Sequence, residues 1–386
     1  MTEVVIAGIG QTSVGEKWEV SLRELAFYAI EQALEDSGGL NPQALYVGNM
    51  LAPQISRQAQ LGTLIADFAG MNGIEAVTIE AAGASGGAAL RSGFLAVSSG
   101  LVDVVLVVGV EKFMDQVGSV IDSALATAID SDYEAVHGLT LTAQAAMLMR
   151  RYIYEFNTPR SAFAAFPLTA HANGVANPNA MFRKAIKPET YERAGIVSDP
   201  INMFDVAPNA DGAAAVILTR KDLLPSGFPH PFIRIAGSSL VTDTLSLHDR
   251  PHPLVFHAAR VSVERACQQA RITPIQMDFF ELDDAFSIYA LLSLEAAGFA
   301  EKGQGWHLSH DNCLGLNGSM PICTMGGSKA RGNPGGATGV YQAVEAVMQL
   351  RGHAGENQIK DARRAMIQCL GGPASTAATH ILETLS

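Results

Sequence analysis

Short runs of β-branched and apolar residues alternate along the first part of the chain with segments in which apolar positions recur at helical spacing. We predict buried parallel strands at residues 4–9, 76–82, 104–110 and 214–219, because continuous apolar runs of this length are typical of strands covered on both faces. Residues 22–37 have the helical pattern and stop at Gly38-Gly39. Residues 84–100 are rich in small side chains, which predicts a helix that its neighbours approach closely.

The same alternation begins again after about residue 230. It predicts strands at residues 232–241, 278–282, 365–370 and 376–382, and helices at 258–271, 284–297 and 337–350. Each part contains a strand, a glycine-rich turn and a helix in that order, with the turns at residues 82–87 and 332–337. The sequence therefore predicts an α/β fold that is built twice, as two similar halves at residues 1–230 and 231–386.

Residues 112–210 interrupt this rhythm with two helical stretches and polar loops, an insertion long enough to have a function of its own. The insertion concentrates positive charge at Arg150, Arg151, Arg160, Arg183, Lys184, Lys187 and Arg193. A solvated surface is the simpler explanation for such residues. Beside glycine-rich turns, however, they favour a lid that binds phosphate groups.

Composition narrows the class of protein. Of the 386 residues, 48% are hydrophobic and only 17% are charged, against about 25% in a typical soluble domain. This composition excludes a disordered or coiled-coil chain and predicts a large core and an oligomer. The net charge of −12 argues against a nucleic-acid partner. Because no apolar run reaches the length of a membrane span and no basic signal region precedes the first strand, we expect a cytoplasmic protein.

The four cysteines are candidates for chemistry. Their positions, at residues 267, 313, 323 and 369, contain no Cys-x-x-Cys pair, so we predict neither a zinc site nor a disulfide framework. One of them is a candidate nucleophile. The histidines His248, His252 and His257 are interrupted by two prolines and share no helix face, so we predict no metal site there either.

Several ordered blocks resemble the thiolase superfamily, most closely the sterol-carrier-protein type of archaea and bacteria. They include VTIEAAGASGGAALRSG, NPNAMFRK, FELDDAFS, GGSKARGNPGGATG and CLGG, and the resemblance covers nearly the whole chain. It implies a five-layer αβαβα sandwich of two similar halves with an inserted lid that holds coenzyme A. It also implies a homodimer or tetramer that takes a coenzyme A thioester as substrate, without a tightly bound cofactor.

The resemblance places unusual residues at the catalytic positions. Thiolase chemistry needs a cysteine thiolate at a helix N-terminus, a histidine that activates it and an oxyanion-binding histidine. These positions fall on Gly83, Asn333 and Asp283 of this sequence. Gly83 has no nucleophile and Asn333 cannot take a proton at neutral pH. The carboxylate of Asp283 would repel an oxyanion unless burial keeps it protonated. The alternative interpretation is that this carboxylate only hydrogen-bonds its own loop.

The remaining candidates follow from the same resemblance. Cys369, in Cys369-Leu370-Gly371, retains the Cys-x-Gly acid/base pattern of many thiolases, although a buried cysteine of this kind is often structural. Asp284 is an alternative proton carrier beside Asp283. The implied contacts to coenzyme A are His171, Arg183, Lys184 and Gly371.

Three functions are compatible with these residues. The first is carbon–carbon bond chemistry on an acyl-CoA without an acyl-enzyme, of the aldol, retro-aldol or enolisation type. The second is a non-catalytic acyl-CoA-binding or scaffold subunit, because some relatives work beside a small zinc-ribbon and OB-fold protein. The third is ordinary acetyl-CoA acetyltransferase activity, which the loss of nucleophile and base disfavours.

One sequence pattern points to a different enzyme class, the α/β-hydrolases. The segment Gly83-Ala84-Ser85-Gly86-Gly87 satisfies the G-x-S-x-G nucleophile elbow of α/β-hydrolases, with Asp284 and His310 as conceivable partners. Such glycine-rich patterns arise easily in a chain with 37 glycines. The blocks on both sides favour the thiolase alignment, in which Ser85 caps or packs the helix.

Overall fold

The computed structural model of the chain describes residues 3–309 and 312–385. Its strands are β1 Val4–Gln11, β2 Ala44–Gly48, β3 Glu75–Ile79, β4 Val104–Glu111, β5 Ile196–Ser198, β6 Ile201–Asn202, β7 Gly212–Arg220, β8 Ile233–Thr242, β9 Phe279–Glu281, β10 Arg364–Gly371 and β11 Thr376–Thr384. Its α-helices are α1 Leu22–Asp36, α2 Ala52–Ile55, α3 Leu61–Phe68, α4 Ser85–Ser99, α5 Gly118–Leu125, α6 Leu141–Phe156, α7 Ala165–Gly174, α8 Pro188–Glu192, α9 His257–Ala270, α10 Ser287–Ala296 and α11 Thr338–Arg351. A π-helical turn covers Gly327–Arg331.

The large sheet has a mirrored strand order. Its strands lie in the order β3-β2-β4-β7-β1-β8-β11-β10-β9. From β2 to β1 the successive pairings are parallel, antiparallel and antiparallel, and the same series runs from β9 to β8. The two similar halves that the sequence predicts are therefore visible in the topology, and they meet where β1 pairs with β8. Their predicted boundary at residue 230 stays a prediction.

Helices cover the sheet in layers. The central helices α4 and α11 contact each other and strands of both halves, and their small and apolar side chains join one buried cluster with both sets of strands. Helices α1 and α3 cover the outer face of the first half, and α9 packs on the outer face of the second with α10 beside it. This arrangement confirms the predicted five-layer α/β sandwich.

The prediction of buried parallel strands is wrong for three of the four strands. Strand β1 is buried but runs antiparallel to both of its neighbours, β7 and β8. Strand β7 also runs antiparallel to β4, because the insertion leaves the sheet at Glu111 and returns beside it at Gly212. Strand β3 is parallel but is not buried, because no other strand of the described chain pairs with its outer edge. Val77 at its centre is accordingly 42% exposed.

The insertion is more helical than its sequence pattern predicts. It contains α5, α6, α7 and α8 rather than two helical stretches. It starts at the carboxyl end of β4 and returns to the sheet beside the same point, at Gly212. Ligands commonly bind at the carboxyl ends of strands in α/β proteins. Within the described ranges, no helix is long and apolar enough to cross a membrane.

Candidate functional site

Two adjoining cavities lie where the insertion meets the two glycine-rich turns. The small cavity has a volume of about 280 Å³ and the large cavity about 740 Å³. Val197, Val206 and Ala207 line both of them. A ligand bound in the large cavity can therefore extend one end into the small cavity.

The small cavity brings together three of the four predicted catalytic positions. Gly83 precedes α4, Asp283 follows β9 and Asn333 precedes α11, and all three line this cavity. Leu370, at the end of β10, lies beside them. Because these elements belong to both halves of the fold, the cavity depends on the packing of the two central helices.

Asp283 presents a buried carboxyl group that is tied to the backbone. Its Oδ1 accepts a hydrogen bond from the N–H of Ala285 at 3.1 Å, and its Oδ2 accepts one from the N–H of Leu370 at 3.1 Å. Burial raises the pKa of Asp283 to about 6, against the lowering effect of these two donors. A carboxyl group with such a pKa can exchange a proton near neutral pH.

Asn333 is held by one end of its amide. Its Oδ1 accepts hydrogen bonds from the N–H of Gly335 and from Oγ1 of Thr338, both at 3.2 Å. The tight turn requires glycine at Gly335, where φ is +46° and a Cβ would lie 2.7 Å from the ring of Phe113. The Nδ2 group of Asn333 makes no hydrogen bond within the described chain, so this donor remains available at the small cavity.

Gly83 has no room for a side chain. A Cβ at this position would lie 2.5 Å from the carbonyl oxygen of Leu370, well inside van der Waals contact. The carbonyl belongs to the backbone of β10 and cannot swing aside as a flexible side chain could. The position that the resemblance assigns to a nucleophile is thus filled by main chain in this protein.

Cys369 does not reach the small cavity. It is 1% exposed, and its Sγ lies 3.8 Å from the carbonyl oxygen of Ala84, to which the thiol donates. Burial raises the pKa of Cys369 to about 12. Within the described chain, neither a cysteine nor a histidine lines the small cavity.

Asp284 and Ser85 also have structural contacts. The carboxylate of Asp284 accepts hydrogen bonds from the N–H groups of Ser328 and Lys329 at the start of the π-helical turn. Ser85 is fully buried, and its Oγ donates to the carbonyl of Ala82. This geometry gives Ser85 the packing role expected from the thiolase alignment. His310, the conceivable hydrolase partner, lies outside the described residues.

Glu111 holds together two loops of the small cavity. Its buried carboxyl group accepts hydrogen bonds from the N–H groups of Met50, Leu51 and Gly336. Burial raises the pKa of Glu111 to about 7, although these donors oppose the shift. Since Met50 and the neighbouring Gly335 line the cavity, Glu111 fixes its walls from behind.

Further polar residues of the small cavity were not found from the sequence; besides Asp122 and Thr142 of the insertion they include Tyr289 and Asn209. Tyr289 is 3% exposed, and its hydroxyl has no hydrogen-bond partner in the described chain. Burial raises the pKa of Tyr289, and the nearby carboxylate of Asp283 adds to this. Asn209 lines the cavity from the segment before β7. Both residues stand close to recognisable blocks, DDAFS and DGAAAV, which is the signal that could have identified them.

The large cavity contains two of the residues predicted to contact coenzyme A. Lys184 and His171 line it, and Nδ1 of His171 hydrogen-bonds the carbonyl of Lys184 at 3.3 Å. Burial lowers the pKa of His171, which favours its neutral form. Arg183 is exposed and does not line the cavity, and Gly371 lies between residues that line the small cavity instead.

Lys329 is a further cation of the large cavity that sequence analysis missed. It is 2% exposed, and its Nζ donates to the carbonyl groups of Phe204 and Asp205 at 3.2 and 2.7 Å. Burial lowers the pKa of Lys329. The remaining walls are mainly apolar, so the cavity combines a few cations with a surface suited to an amphipathic ligand.

No group of three or more potential metal-ligating side chains is found in the described ranges. Of the three histidines considered above, His248 lies 3.9 Å from Glu134 and 3.5 Å from Asp249. His248 thus lies close to two acidic side chains, of which Glu134 is buried.

Comparison with known proteins agrees with this geometry. Residues 4–222 match the family model described as "Thiolase, N-terminal domain", and residues 239–384 match "Thiolase C-terminal domain-like". The chain belongs to the thiolase superfamily. The blocks that carry the resemblance are therefore those of a true relative, and they contribute the residues around the small cavity.

One curated protein and two solved structures each match nearly the whole chain. An acetyl-CoA acetyltransferase of Methanothermobacter thermautotrophicus is 40% identical over 99% of this chain and 100% of its own length. The solved structure titled "Ltp2-ChsH2(DUF35) aldolase" has a TM-score of 0.83 at 22% identity, over 99% of this chain and 98% of that one. Human mitochondrial 3-ketoacyl-CoA thiolase in complex with CoA has a TM-score of 0.77 at 17% identity, over 100% and 98%. At these identities the two structures establish the shared fold.

Proposed function

We propose that this thiolase-superfamily protein makes or breaks a carbon–carbon bond next to the thioester of an acyl-CoA, without forming an acyl-enzyme. The observation that carries the proposal is the lining of the small cavity, which offers two carboxyl groups, those of Asp122 and Asp283, and two amides but, among the described residues, no thiol or imidazole. The coenzyme A part would occupy the large cavity near Lys184 and Lys329. The acyl part would extend past Val206 into the small cavity.

Aldol cleavage of a β-hydroxyacyl-CoA fits this set of groups. The Asp283 carboxylate takes the proton of the β-hydroxyl, the oxygen forms a carbonyl with the β-carbon, and the bond between the α- and β-carbons breaks. Its electron pair moves into the thioester enolate, whose oxygen accepts a hydrogen bond from Nδ2 of Asn333. The α-carbon then takes a proton from Asp283, which releases a shorter acyl-CoA and an aldehyde or ketone.

Asp283 is the preferred base among the candidates from the sequence. It lines the small cavity and burial raises its pKa to about 6, so it is largely ionised at neutral pH. Cys369 and Asp284 are less suitable, because neither lines the cavity. When the enolate forms, Asp283 has taken the proton of the β-hydroxyl and is neutral, so it would not repel the enolate oxygen near Asn333.

Two alternatives remain as outcomes of the test. The 40% identity to an acetyl-CoA acetyltransferase favours ordinary acetyl transfer, which would require a nucleophile other than Gly83. The aldolase in the structural comparison is named together with a DUF35 component. We therefore also propose a small zinc-ribbon and OB-fold partner for this chain, and a scaffold role is the second alternative.

The open edge of β3 supports a further expectation from the sequence, a homodimer or tetramer. Its outer side pairs with no strand of the described chain, and Val77 is partly exposed there. An unpaired edge of this kind readily joins another strand. We propose that a second copy of the chain covers it.

Incubation with 3-hydroxybutyryl-CoA, followed by mass spectrometry of the products, tests the proposed reaction. We expect acetyl-CoA and acetaldehyde, and exchange of the α-protons of acetyl-CoA in D₂O. The variant Asp283→Asn should lose both. A stable acetyl adduct on the protein after a separate incubation with acetyl-CoA would instead establish acetyl transfer. If the protein binds acyl-CoA but shows neither exchange nor cleavage, both alone and in the presence of the partner, the result would support the scaffold role.

A further inference from the structure

Asn209 and Asn333 lie side by side on two neighbouring backbone segments. They form a parallel β-bridge, in which the N–H of Asn333 donates to the carbonyl of Pro208 at 2.9 Å and the N–H of Ala210 donates to the carbonyl of Asn333 at 3.1 Å. Bridged residues project their side chains to the same face, with backbones about 5 Å apart. Both residues line the small cavity, so their side chains share this wall.

The hydrogen bonds of the two amides leave donors free. Asn333 uses Oδ1 for its own turn, and its Nδ2 has no partner within the described chain. The side chain of Asn209 makes no hydrogen bond to any described residue, and the residue is half-buried. A half-buried amide without a protein partner gains when a ligand atom replaces water at its donor. Two such donors on one wall suit an oxygen atom with two lone pairs.

We propose that Asn209 and Asn333 together bind the thioester carbonyl oxygen of the acyl-CoA and, during reaction, the enolate oxygen formed from it. This inference rests on the proposed function and adds Asn209 as a substrate-contacting residue. The paired amides would supply the hydrogen bonds that stabilise negative charge on that oxygen. Neither amide can become charged, so the stabilisation would persist over the whole pH range in which Asp283 ionises.

The first test measures binding and does not require a reaction. Acetyl-CoA is compared with S-ethyl-CoA, a thioether of similar size that lacks the carbonyl oxygen, by isothermal titration calorimetry. We expect the wild-type protein to prefer acetyl-CoA by about tenfold, which corresponds to about 1.4 kcal/mol. Asn209→Asp keeps the shape but removes the donor, and it should abolish this preference while the affinity for free coenzyme A changes less than twofold.

The second test measures proton exchange at the α-carbon of acetyl-CoA. Asn209→Asp should slow exchange at least tenfold, and the double variant with Asn333→Asp should lose less than the product of the single effects, because both amides bind one atom. Asn41→Asp, at an exposed position, serves as the matched control and should change neither measurement. Thermal melting of each variant identifies any effect that comes from folding.

The outcomes separate this inference from the proposed reaction. A carbonyl preference that depends on Asn209 supports the inference even if the wild-type protein shows no exchange or cleavage, which would refute the reaction alone. Exchange that proceeds in Asn209→Asp at the wild-type rate, or a carbonyl preference unaffected by that change, would overturn the inference and leave the reaction standing. Failure of the wild-type protein to bind either thioester or thioether would overturn both.

Discussion

The carbonyl oxygen of Leu370 lies 2.5 Å from the place where a Cβ of residue 83 would stand. Gly83 precedes helix α4 of the first half and Leu370 lies at the end of strand β10 in the second half, so the contact crosses the central layer. Main chain from one half thus fills the position at which the other half would carry a nucleophile. The packing around this turn therefore excludes a cysteine side chain at residue 83.

This contact predicts that a side chain at residue 83 destabilises the fold. Gly83→Ala should lower the free energy of unfolding by roughly 1–3 kcal/mol, as overpacking of a tight interior site generally does. Gly118→Ala is the matched control, because a Cβ there has no atom within 4 Å, and it should be neutral or slightly stabilising. Chemical denaturation of the two variants measures the difference.

The same contact predicts that Gly83→Cys does not restore acetyl transfer. Its folded fraction should form no acetyl adduct with acetyl-CoA in intact-protein mass spectrometry. A stable, acetylated Gly83→Cys protein would show that β10 moves aside easily and that the packing argument is wrong.

The role of Asp283 as the base predicts that the rate of the reaction depends on pH. A base must be ionised, and burial raises the pKa of Asp283 to about 6, so kcat/KM should rise with pH through about 6 and level off above about 7. Asp283→Asn should lower the rate by at least about 100-fold, within the range typical of a lost general base. Initial rates of α-proton exchange between pH 5 and 8 measure both effects.

The pH dependence of the free energy of unfolding provides an independent test of the raised pKa of Asp283. The folded pKa of Asp283 lies above the ordinary value of 3.8, so the folded state binds this proton more tightly than the unfolded state. The associated stabilisation is full below about pH 4 and is lost as pH rises through about 6. The free energy of unfolding of Asp283→Asn should therefore rise relative to wild type between pH 4 and 7. A constant difference would mean that Asp283 has an ordinary pKa.

The variant Asn333→Asp distinguishes the role of the amide oxygen of Asn333 in its turn from the proposed role of its Nδ2 group as a donor to the substrate. The carboxylate can still accept the hydrogen bonds from Gly335 and Thr338, so the turn and the melting temperature should be retained. Loss of the Nδ2 donor should slow α-proton exchange by about 100-fold, the usual cost of one oxyanion donor. An unchanged rate would exclude this amide from the reaction.

Cys369→Ala should leave the reaction intact. The thiol is buried away from the small cavity, and burial raises its pKa to about 12, so it is a poor proton carrier at neutral pH. We expect exchange within twofold of wild type, with a loss of stability of about 1 kcal/mol from the small void. Abolished exchange in a folded Cys369→Ala protein would instead identify the thiol as the base, as the Cys-x-Gly pattern suggests.

Lys184 and Arg183 form a matched pair for coenzyme A binding. Lys184 lines the large cavity and its neighbour Arg183 does not. Lys184→Ala should weaken the binding of coenzyme A several-fold at low ionic strength and less at high salt, because an exposed cation acts through a screened charge. Arg183→Ala should change the dissociation constant less than twofold. Calorimetric titration at two salt concentrations compares them, and equal effects would contradict the assignment.

The hydrophobic pattern predicted the elements of the second half well. The strand expected at residues 365–370 is observed at Arg364–Gly371, and the helix expected at 337–350 is observed at Thr338–Arg351. The pattern could not predict that β7 runs antiparallel to its neighbours, because period and burial do not carry the direction of a strand. The exposure of β3 has a similar cause, since a sequence does not say which strand ends the sheet.

The site was predictable only in part. The resemblance placed Gly83, Asp283 and Asn333 at catalytic positions, and the structure brings them to one cavity. The sequence left both a catalytic and a structural role open for Cys369, because the side that this residue faces depends on how β10 is turned against α4. Sequence analysis missed Asn209 as a cavity residue, because a backbone bridge places it beside Asn333, which lies more than 100 residues later in the chain.

The position of strand β1 has a consequence for how the chain folds as it is synthesised. Val4 pairs with Arg220 on one side, and Val5 pairs with Arg234 on the other. Strand β1 leaves the ribosome before β7 and β8, and more than 200 residues must follow it before either of its edges is covered. Pairings this distant in sequence form slowly and leave a strand edge open to aggregation. Folding of this protein should thus be most vulnerable before β7 and β8 emerge.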